Sequence, residues 1–88
     1  MELTLESLDQ PELVVVRRLA AGPLTEFELG VEVAEHSSYP PELVAERMPG
    51  WLQGLREKGL VWAGHLWNKR GQLIMAAALT SRGQDLVA

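Results

Sequence analysis

The second half of this chain carries an ordered series of start and stop signals that restricts the folds open to it. A helical pattern ends at Gly59, and the apolar segments Val61–Trp67 and Leu73–Leu79 follow on either side of Asn68-Lys-Arg-Gly71. Asn and Gly are typical of tight turns between antiparallel strands. Thr80 then stands where a helix N-cap is expected. The series predicts a helix, a β-hairpin and a short closing helix, in that order.

Two capping boxes place helices in the first half of the chain. The pattern Asp9-Gln-Pro-Glu12 predicts a helix that runs to about Ala21. The pattern Thr25-Glu-Phe-Glu28 predicts a second helix to about Glu35, with Leu24 before it as the remnant of a short strand. The pattern of this second helix runs through Phe27, Leu29, Val33 and Ala34. Gly30 lies inside this second helix. A glycine there lowers helix stability by about 1 kcal/mol relative to alanine, and close approach of another helix is the usual reason to keep one.

Pro49 interrupts the third helical region. A proline ring inside a helix clashes with the carbonyl four residues earlier, at a cost of about 3 kcal/mol. We therefore expect a short helical turn from Glu42 to Arg47, then a break, and a further helix from Pro49 to Lys58. The apolar positions nevertheless keep one helical phase across the proline, at Val44, Met48, Trp51, Leu52 and Leu55.

Length and composition favour one α+β domain over residues 1–88, with helices ahead of a small antiparallel sheet. The chain has no cysteine, which excludes disulfides and thiolate metal sites. Its N-terminus is acidic where a secretory signal is basic, and its longest apolar run, Leu73–Leu79, is far too short for a membrane helix. A cytoplasmic protein without a membrane segment is expected.

Catalytic chemistry finds little support in the sequence. His36 and His65 lie in different predicted elements, with no third ligand at metal spacing. The serines lack a nucleophile-elbow context, and the glycines form no phosphate-binding pattern. We therefore expect neither an enzyme nor a metal site, and no cofactor.

The net charge of −4 conceals an uneven distribution of charged residues. Most of the acidic side chains precede residue 47, whereas six of the eight basic ones follow residue 46. The basic half is the one that contains the predicted hairpin and the helix before it. This distribution is compatible with binding of a polyanion by the second half and equally with a solvated basic surface.

Three sequence features follow one another in the second half of the chain. They are the helix end Leu52-Gln-Gly-Leu-Arg-Glu-Lys-Gly-Leu-Val61, the basic turn at Lys69 and Arg70, and Leu79-Thr-x-x-Gly83-x-x-Leu86. Together they resemble the winged helix-turn-helix domain of MarR-like and PadR-like bacterial transcriptional regulators. The resemblance spans roughly Pro11 to Leu86 and implies three to four helices plus a hairpin wing.

The resemblance implies that duplex DNA is the ligand. Gln53 is then placed to pair with adenine in the major groove, and the basic side chains are placed to contact phosphates. Glu42 and Glu46 oppose this binding unless they point away from the groove. The candidate DNA-binding residues are Arg47, Gln53, Arg56, Lys58, Lys69 and Arg70.

The hairpin is apolar on both faces, which predicts that both faces are covered. A second copy or a protein partner could cover one face, which favours a homodimer. The chain's own N-terminal leucines, Leu3, Leu5 and Leu8, could cover it instead. The leading hypothesis is a homodimeric DNA-binding regulator. The alternative is a winged-helix module that binds another protein through the acidic N-terminal half and the apolar hairpin.

Overall fold

The computed structural model describes residues 4–88. After a 3-10 turn at Leu5–Ser7, these residues form four helices and a three-stranded antiparallel sheet, which confirms the predicted α+β class. In chain order the elements are α1 Gln10–Leu19, β1 Leu24–Thr25, α2 Glu26–His36, α3 Pro41–Glu57, β2 Val61–Trp67, β3 Leu73–Leu79 and α4 Ser81–Val87.

The sheet has the strand order β1-β3-β2. The predicted hairpin is confirmed with its bounds, and its register pairs Val61 with Leu79 at the base and Trp67 with Leu73 near the tip. Leu24 extends into a two-residue strand that pairs with the middle of β3. Only the half of the hairpin nearest the helices is therefore part of a three-stranded sheet.

The core lies between the helices and the inner face of the sheet base. Alternation along β2 directs Val61 and Ala63 inward, and both are buried. Leu29 and Val33 of α2 are buried as expected, but Phe27 is 81% exposed and lies on the other side of that helix. Among residues 4–88, the remaining buried apolar side chains are Leu8, Pro11, Val15, Val16, Leu19, Val44, Met48, Leu52, Leu55, Leu60, Ala76 and Ala77.

A complete capping box starts α2. The hydroxyl oxygen of Thr25 accepts a hydrogen bond from the backbone N–H of Glu28 at 3.1 Å. The Glu28 carboxylate in turn accepts from the backbone N–H of Thr25 at 3.0 Å and from its hydroxyl at 2.9 Å. The backbone hydrogen bond, followed by the hydroxyl one, lowers the pKa of Glu28 below its ordinary value. The side chains of Thr25 and Glu28 thus each accept a hydrogen bond from the other residue's backbone N–H at the start of α2.

The predicted break at Pro49 is wrong, because α3 is one helix from Pro41 to Glu57. Pro49 is exposed, so water can hydrate the carbonyl that loses its intrahelical partner. Burial of each large apolar side chain contributes about 1.5–3 kcal/mol. The four buried side chains of α3 therefore outweigh the local cost of one proline. They are Val44, Met48, Leu52 and Leu55.

The end of α3 forms a Schellman motif around Gly59. The φ angle of Gly59 is +75°, and its N–H donates to the carbonyl of Arg56 at 2.9 Å. The N–H of Leu60 donates to the carbonyl of Leu55 at 3.0 Å, and both leucine side chains are buried. This pattern ends the helix and turns the chain into β2.

Thr80 fixes the start of α4 to the end of α3. Its hydroxyl donates to the Gly59 carbonyl at 2.6 Å and accepts from the N–H of Gly83 at 3.1 Å. Its own N–H donates to the Leu60 carbonyl at 3.0 Å. A Cβ atom on Gly83 would overlap that carbonyl oxygen and lie 3.0 Å from the Leu79 side chain. We refer to Gly59, Leu60, Thr80 and Gly83 as the α3–α4 junction.

We expect Gly83→Ala to lower the free energy of unfolding by about 2–3 kcal/mol, because the added methyl group meets backbone that cannot move independently. Gly50→Ala is the matched control. It lies in α3 with open space around it and should stabilise the protein by about 1 kcal/mol. Urea unfolding of both variants measures the difference. Equal stability of the two variants would contradict the tight contact at the junction.

Candidate nucleic-acid interface

The exposed face of α3 carries three of the predicted DNA-binding residues. Gln53 lies opposite the buried stripe and is exposed, as are Arg47 and Arg56. The two arginines are nine residues apart, which corresponds to a half-turn difference in direction and about 14 Å along the axis. They therefore flank Gln53 on opposite sides of the helix.

The side chain of Gln53 is already oriented by a neighbour. Its amide nitrogen donates to the Glu57 carboxylate at 3.2 Å. Since an amide group has two N–H donors, one donor and the carbonyl oxygen stay available. Recognition of adenine requires one donor and one acceptor. The hydrogen bond to Glu57 is thus compatible with base reading and fixes the direction of the amide.

The same face of α3 also carries acidic side chains. Because α3 is continuous, residues seven and eleven positions before Gln53 lie on its side of the helix. These are Glu46 and Glu42, and both are exposed. With Glu57 they place negative charge along the surface that would approach phosphates, where it opposes binding. The expected break that could have turned them away does not occur.

The hairpin tip presents two cations on a hydrogen-bonded turn. The side-chain oxygen of Asn68 accepts from the N–H groups of Arg70 and Gln72, each at 2.9 Å. Gly71, with φ +74°, donates its N–H to the Asn68 carbonyl at 3.1 Å. These bonds hold Lys69 and Arg70 at the apex, where both are exposed.

Lys58 lies apart from the other predicted residues because it contacts α1. Its ammonium nitrogen is 3.0 Å and 3.3 Å from the two carboxylate oxygens of Glu12. Glu12 is only 6% exposed and also accepts from the backbone N–H of Asp9 at 3.3 Å. A Cβ on Gly54 would be 3.4 Å from this carboxylate, so Gly54 faces α1. A DNA contact by Lys58 stays a prediction that requires this ion pair to break.

Both histidines are exposed. His36 lies with Glu32 and Glu35 in a group whose possible ligand atoms are within 4.8 Å of one another. The guanidinium of Arg18 is in the same place, since it is 2.9 Å from the Glu32 carboxylate and 2.6 Å from the His36 ring nitrogen. Arg18 thereby supplies the positive charge that this group attracts.

No protein-family model matches the chain, and neither does the sequence of any curated protein. Among solved structures, the chain is similar to a candidate transcriptional regulator from Thermoplasma acidophilum. The two share 19% sequence identity, and the match has a TM-score of 0.73. It covers 88% of this chain and 72% of the other.

The fold is a winged helix-turn-helix. In this fold α2 and α3 form the helix-turn-helix, and the β2–β3 hairpin is the wing. The most exposed face of α3 and the wing tip are therefore the surfaces to consider for nucleic acid. Within residues 4–88, no helix combines the length and hydropathy needed to cross a bilayer.

A second surface was not predicted from the sequence. Phe27 and Val31 of α2 are exposed and border an apolar groove between α2, α3 and the wing. Their four-residue spacing was a signal that both could lie on one face. The groove itself depends on contacts between distant elements, which spacing does not reveal.

Lys58→Met should lower the free energy of unfolding by about 1–3 kcal/mol, because it leaves the buried Glu12 carboxylate without its cation. Lys69→Met makes the same chemical change at the exposed wing tip and should alter stability by less than about 0.5 kcal/mol. Urea unfolding at neutral pH compares the two variants. If Lys58→Met is as mild as Lys69→Met, the ion pair does not stabilise the contact between α1 and α3.

Proposed function

We propose that this chain binds duplex DNA and acts in transcription regulation in the cytoplasm, through binding rather than catalysis. The observation that carries the proposal is the wing tip, where a hydrogen-bonded turn presents Lys69 and Arg70 beside a helix-turn-helix. The similarity to a candidate regulator supports the same function.

The proposal assigns different tasks to the wing and to α3. Lys69 and Arg70 bind phosphates, which supplies affinity without sequence preference. Arg47 and Arg56 contact phosphates on either side of the groove, because they lie on opposite flanks of α3. Gln53 lies between them and reads a base edge.

The acidic residues on α3 limit how strongly the helix can bind. Glu42 and Glu46 repel phosphates, so the wing must supply much of the electrostatic attraction. Salt screens the repulsion between the α3 carboxylates and phosphates, and it also screens the attraction between the wing bases and phosphates. Binding should thus be strongest at low salt and depend closely on the two bases at the tip.

Replacing Lys69 and Arg70 together with alanine should weaken binding about equally for all DNA sequences. The log-log dependence of affinity on salt should flatten by about 1 for each phosphate that the variant no longer neutralises. Gln53→Ala should instead reduce the preference among sequences at a similar salt slope. Titration of mixed-sequence duplex at several salt concentrations measures these effects. Absence of binding by the wild-type protein at low salt would exclude the proposed function.

Neutralising the α3 acids provides a reciprocal test. Glu42→Gln with Glu46→Gln should strengthen binding to duplex at low salt, because two repelling charges leave the surface that faces the phosphates. Glu26→Gln with Glu35→Gln removes the same net charge from α2 and should have a smaller effect. An equal gain from both double variants would mean that only net charge matters and that α3 does not face DNA.

We also propose that the protein is a homodimer that associates through the wing. The wing exposes Trp62, Leu66, Trp67 and Leu73. Of the N-terminal leucines that could have covered these side chains, Leu8 is buried and Leu5 is half-buried against the core. Leu3 lies outside the described residues. Since large apolar side chains remain exposed with Leu5 and Leu8 in place, a second copy is the proposed cover.

Sedimentation velocity at micromolar concentration should show a dimer for the wild-type protein. Trp67→Ser with Leu73→Ser should shift it to a monomer, because these two side chains are paired across the wing and are 73% and 54% exposed. The free energy of unfolding, measured where the wild-type protein is monomeric, should change little. A wild-type monomer at these concentrations would exclude the dimer.

A further inference from the structure

An apolar groove with a cavity volume of about 960 Å³ lies between α2, the N-terminal half of α3 and β3. Phe27, Val31 and Ala34 of α2 line one wall. Their spacing of four and three residues places them in one row along the helix. Phe27 and Val31 are exposed and lie away from the buried face of α2, so core packing does not account for their apolar character.

The other wall comes from α3. Pro41, Ala45 and Met48 line it and repeat the same spacing of four and three residues. Ile74 and Met75 of β3 close one side, beyond the point where β1 ends. Two helical ridges with a channel between them provide the surface against which a third helix packs.

Gly30 lines the groove and has no internal reason to be glycine. A Cβ atom there would approach only one side-chain atom within 4 Å, Cγ1 of Val44, at an ordinary contact distance of 3.9 Å. Glycine inside a helix costs about 1 kcal/mol relative to alanine. We expected Gly30 to allow close approach of another helix, but α3 leaves room for a Cβ atom at this position. An occupant that approaches α2 from outside would use the space that this glycine leaves.

The charges at the groove are negative. Glu26 and Glu35 both line it, and they are about 14 Å apart along the axis of α2, with a half-turn difference in direction. Among residues 4–88, neither carboxylate has an ion-pair partner. An occupant that complements this surface carries an apolar stripe and positive charges near both of its ends.

We propose that this groove binds an amphipathic helix of a partner protein, with apolar side chains between the two walls and Lys or Arg residues opposite Glu26 and Glu35. The two ridges of helical spacing favour a helix over an extended peptide. The positions of Glu26 and Glu35 are about 14 Å apart along the axis of α2, so the complementary cations belong near the two ends of the partner helix. The groove lies on a different side of α3 from Gln53, so this proposal does not depend on DNA binding.

The test uses the full chain and a synthetic, fluorescently labelled helical peptide of 15 residues. The peptide has leucines at positions that form one stripe and lysines beside that stripe, one near each end. One control peptide has the same composition in scrambled order, and another has glutamates in place of the lysines. Fluorescence anisotropy should show binding of the first peptide and much weaker binding of both controls.

Charge variants locate the site. Glu26→Gln with Glu35→Gln should weaken binding of the lysine peptide by about 5- to 30-fold, because two ion pairs at a partly apolar surface are removed. Glu42→Gln with Glu46→Gln removes the same net charge from exposed positions outside the groove. It should change peptide affinity by no more than about twofold. Equal losses from both double variants would overturn the proposal.

Gly30→Ala tests whether peptide affinity and the free energy of unfolding change in opposite directions. This variant should resist urea better than the wild type, since alanine favours the helix and meets no clash. It should nevertheless bind the peptide several-fold more weakly, because the methyl group fills part of the groove. Gly50→Ala should stabilise the fold similarly and leave peptide binding unchanged. Unaltered binding by Gly30→Ala would contradict close approach at this position.

Other occupants would give different results. If the protein self-associates and Val31→Lys abolishes that association, a second copy fills the groove. If an apolar dye binds there while the lysine peptide binds no better than its scrambled control, the groove takes a small apolar molecule. Either result would overturn the proposal of a partner helix.

Discussion

The junction between the end of α3 and the start of α4 determines how α3, the base of the hairpin and α4 meet. A single threonine hydroxyl, on Thr80, joins the Gly59 carbonyl, just after the end of α3, to the first turn of α4. The backbone of Leu60 passes so close to Gly83 that a Cβ atom at position 83 would overlap its carbonyl oxygen. Since β2 begins and β3 ends at this point, the junction also sets where the strands start to pair. The direction of the wing relative to α3 depends on it.

α3 is the element on which the different surfaces depend. One side supplies four buried side chains to the core, the opposite side carries Gln53, and a third side forms a wall of the apolar groove. Pro49 is compatible with this because it lies on the exposed side, where water can satisfy the free carbonyl. A break at that position would have uncoupled these surfaces from each other. The continuous helix instead keeps Gln53 and the groove at a fixed separation.

The parts of the fold that were predicted correctly are those with strong local signals. The wing, its turn at Asn68–Gly71 and the capping box at Thr25 each depend on residues close together in sequence. The break at Pro49 was predicted wrongly because a local cost was weighed without the burial that only the tertiary structure supplies. The pairing of Lys58 with Glu12 joins residues 46 positions apart, and no sequence pattern indicated it. For the same reason the apolar groove was not predicted, although the sequence contains Phe27 and Val31 four residues apart.

The short length of β1 has a mechanical consequence for the wing. Because β1 pairs only with Ala76 and Ala77, the outer half of the hairpin is a two-stranded ribbon attached to a three-stranded base. Two-stranded ribbons twist more strongly than larger sheets. The outer ribbon can therefore be rotated relative to the base, starting at the last residue pair of β1, Thr25 with Ala76. The direction of the wing tip can therefore differ from that of the base while the core beneath the base keeps its packing.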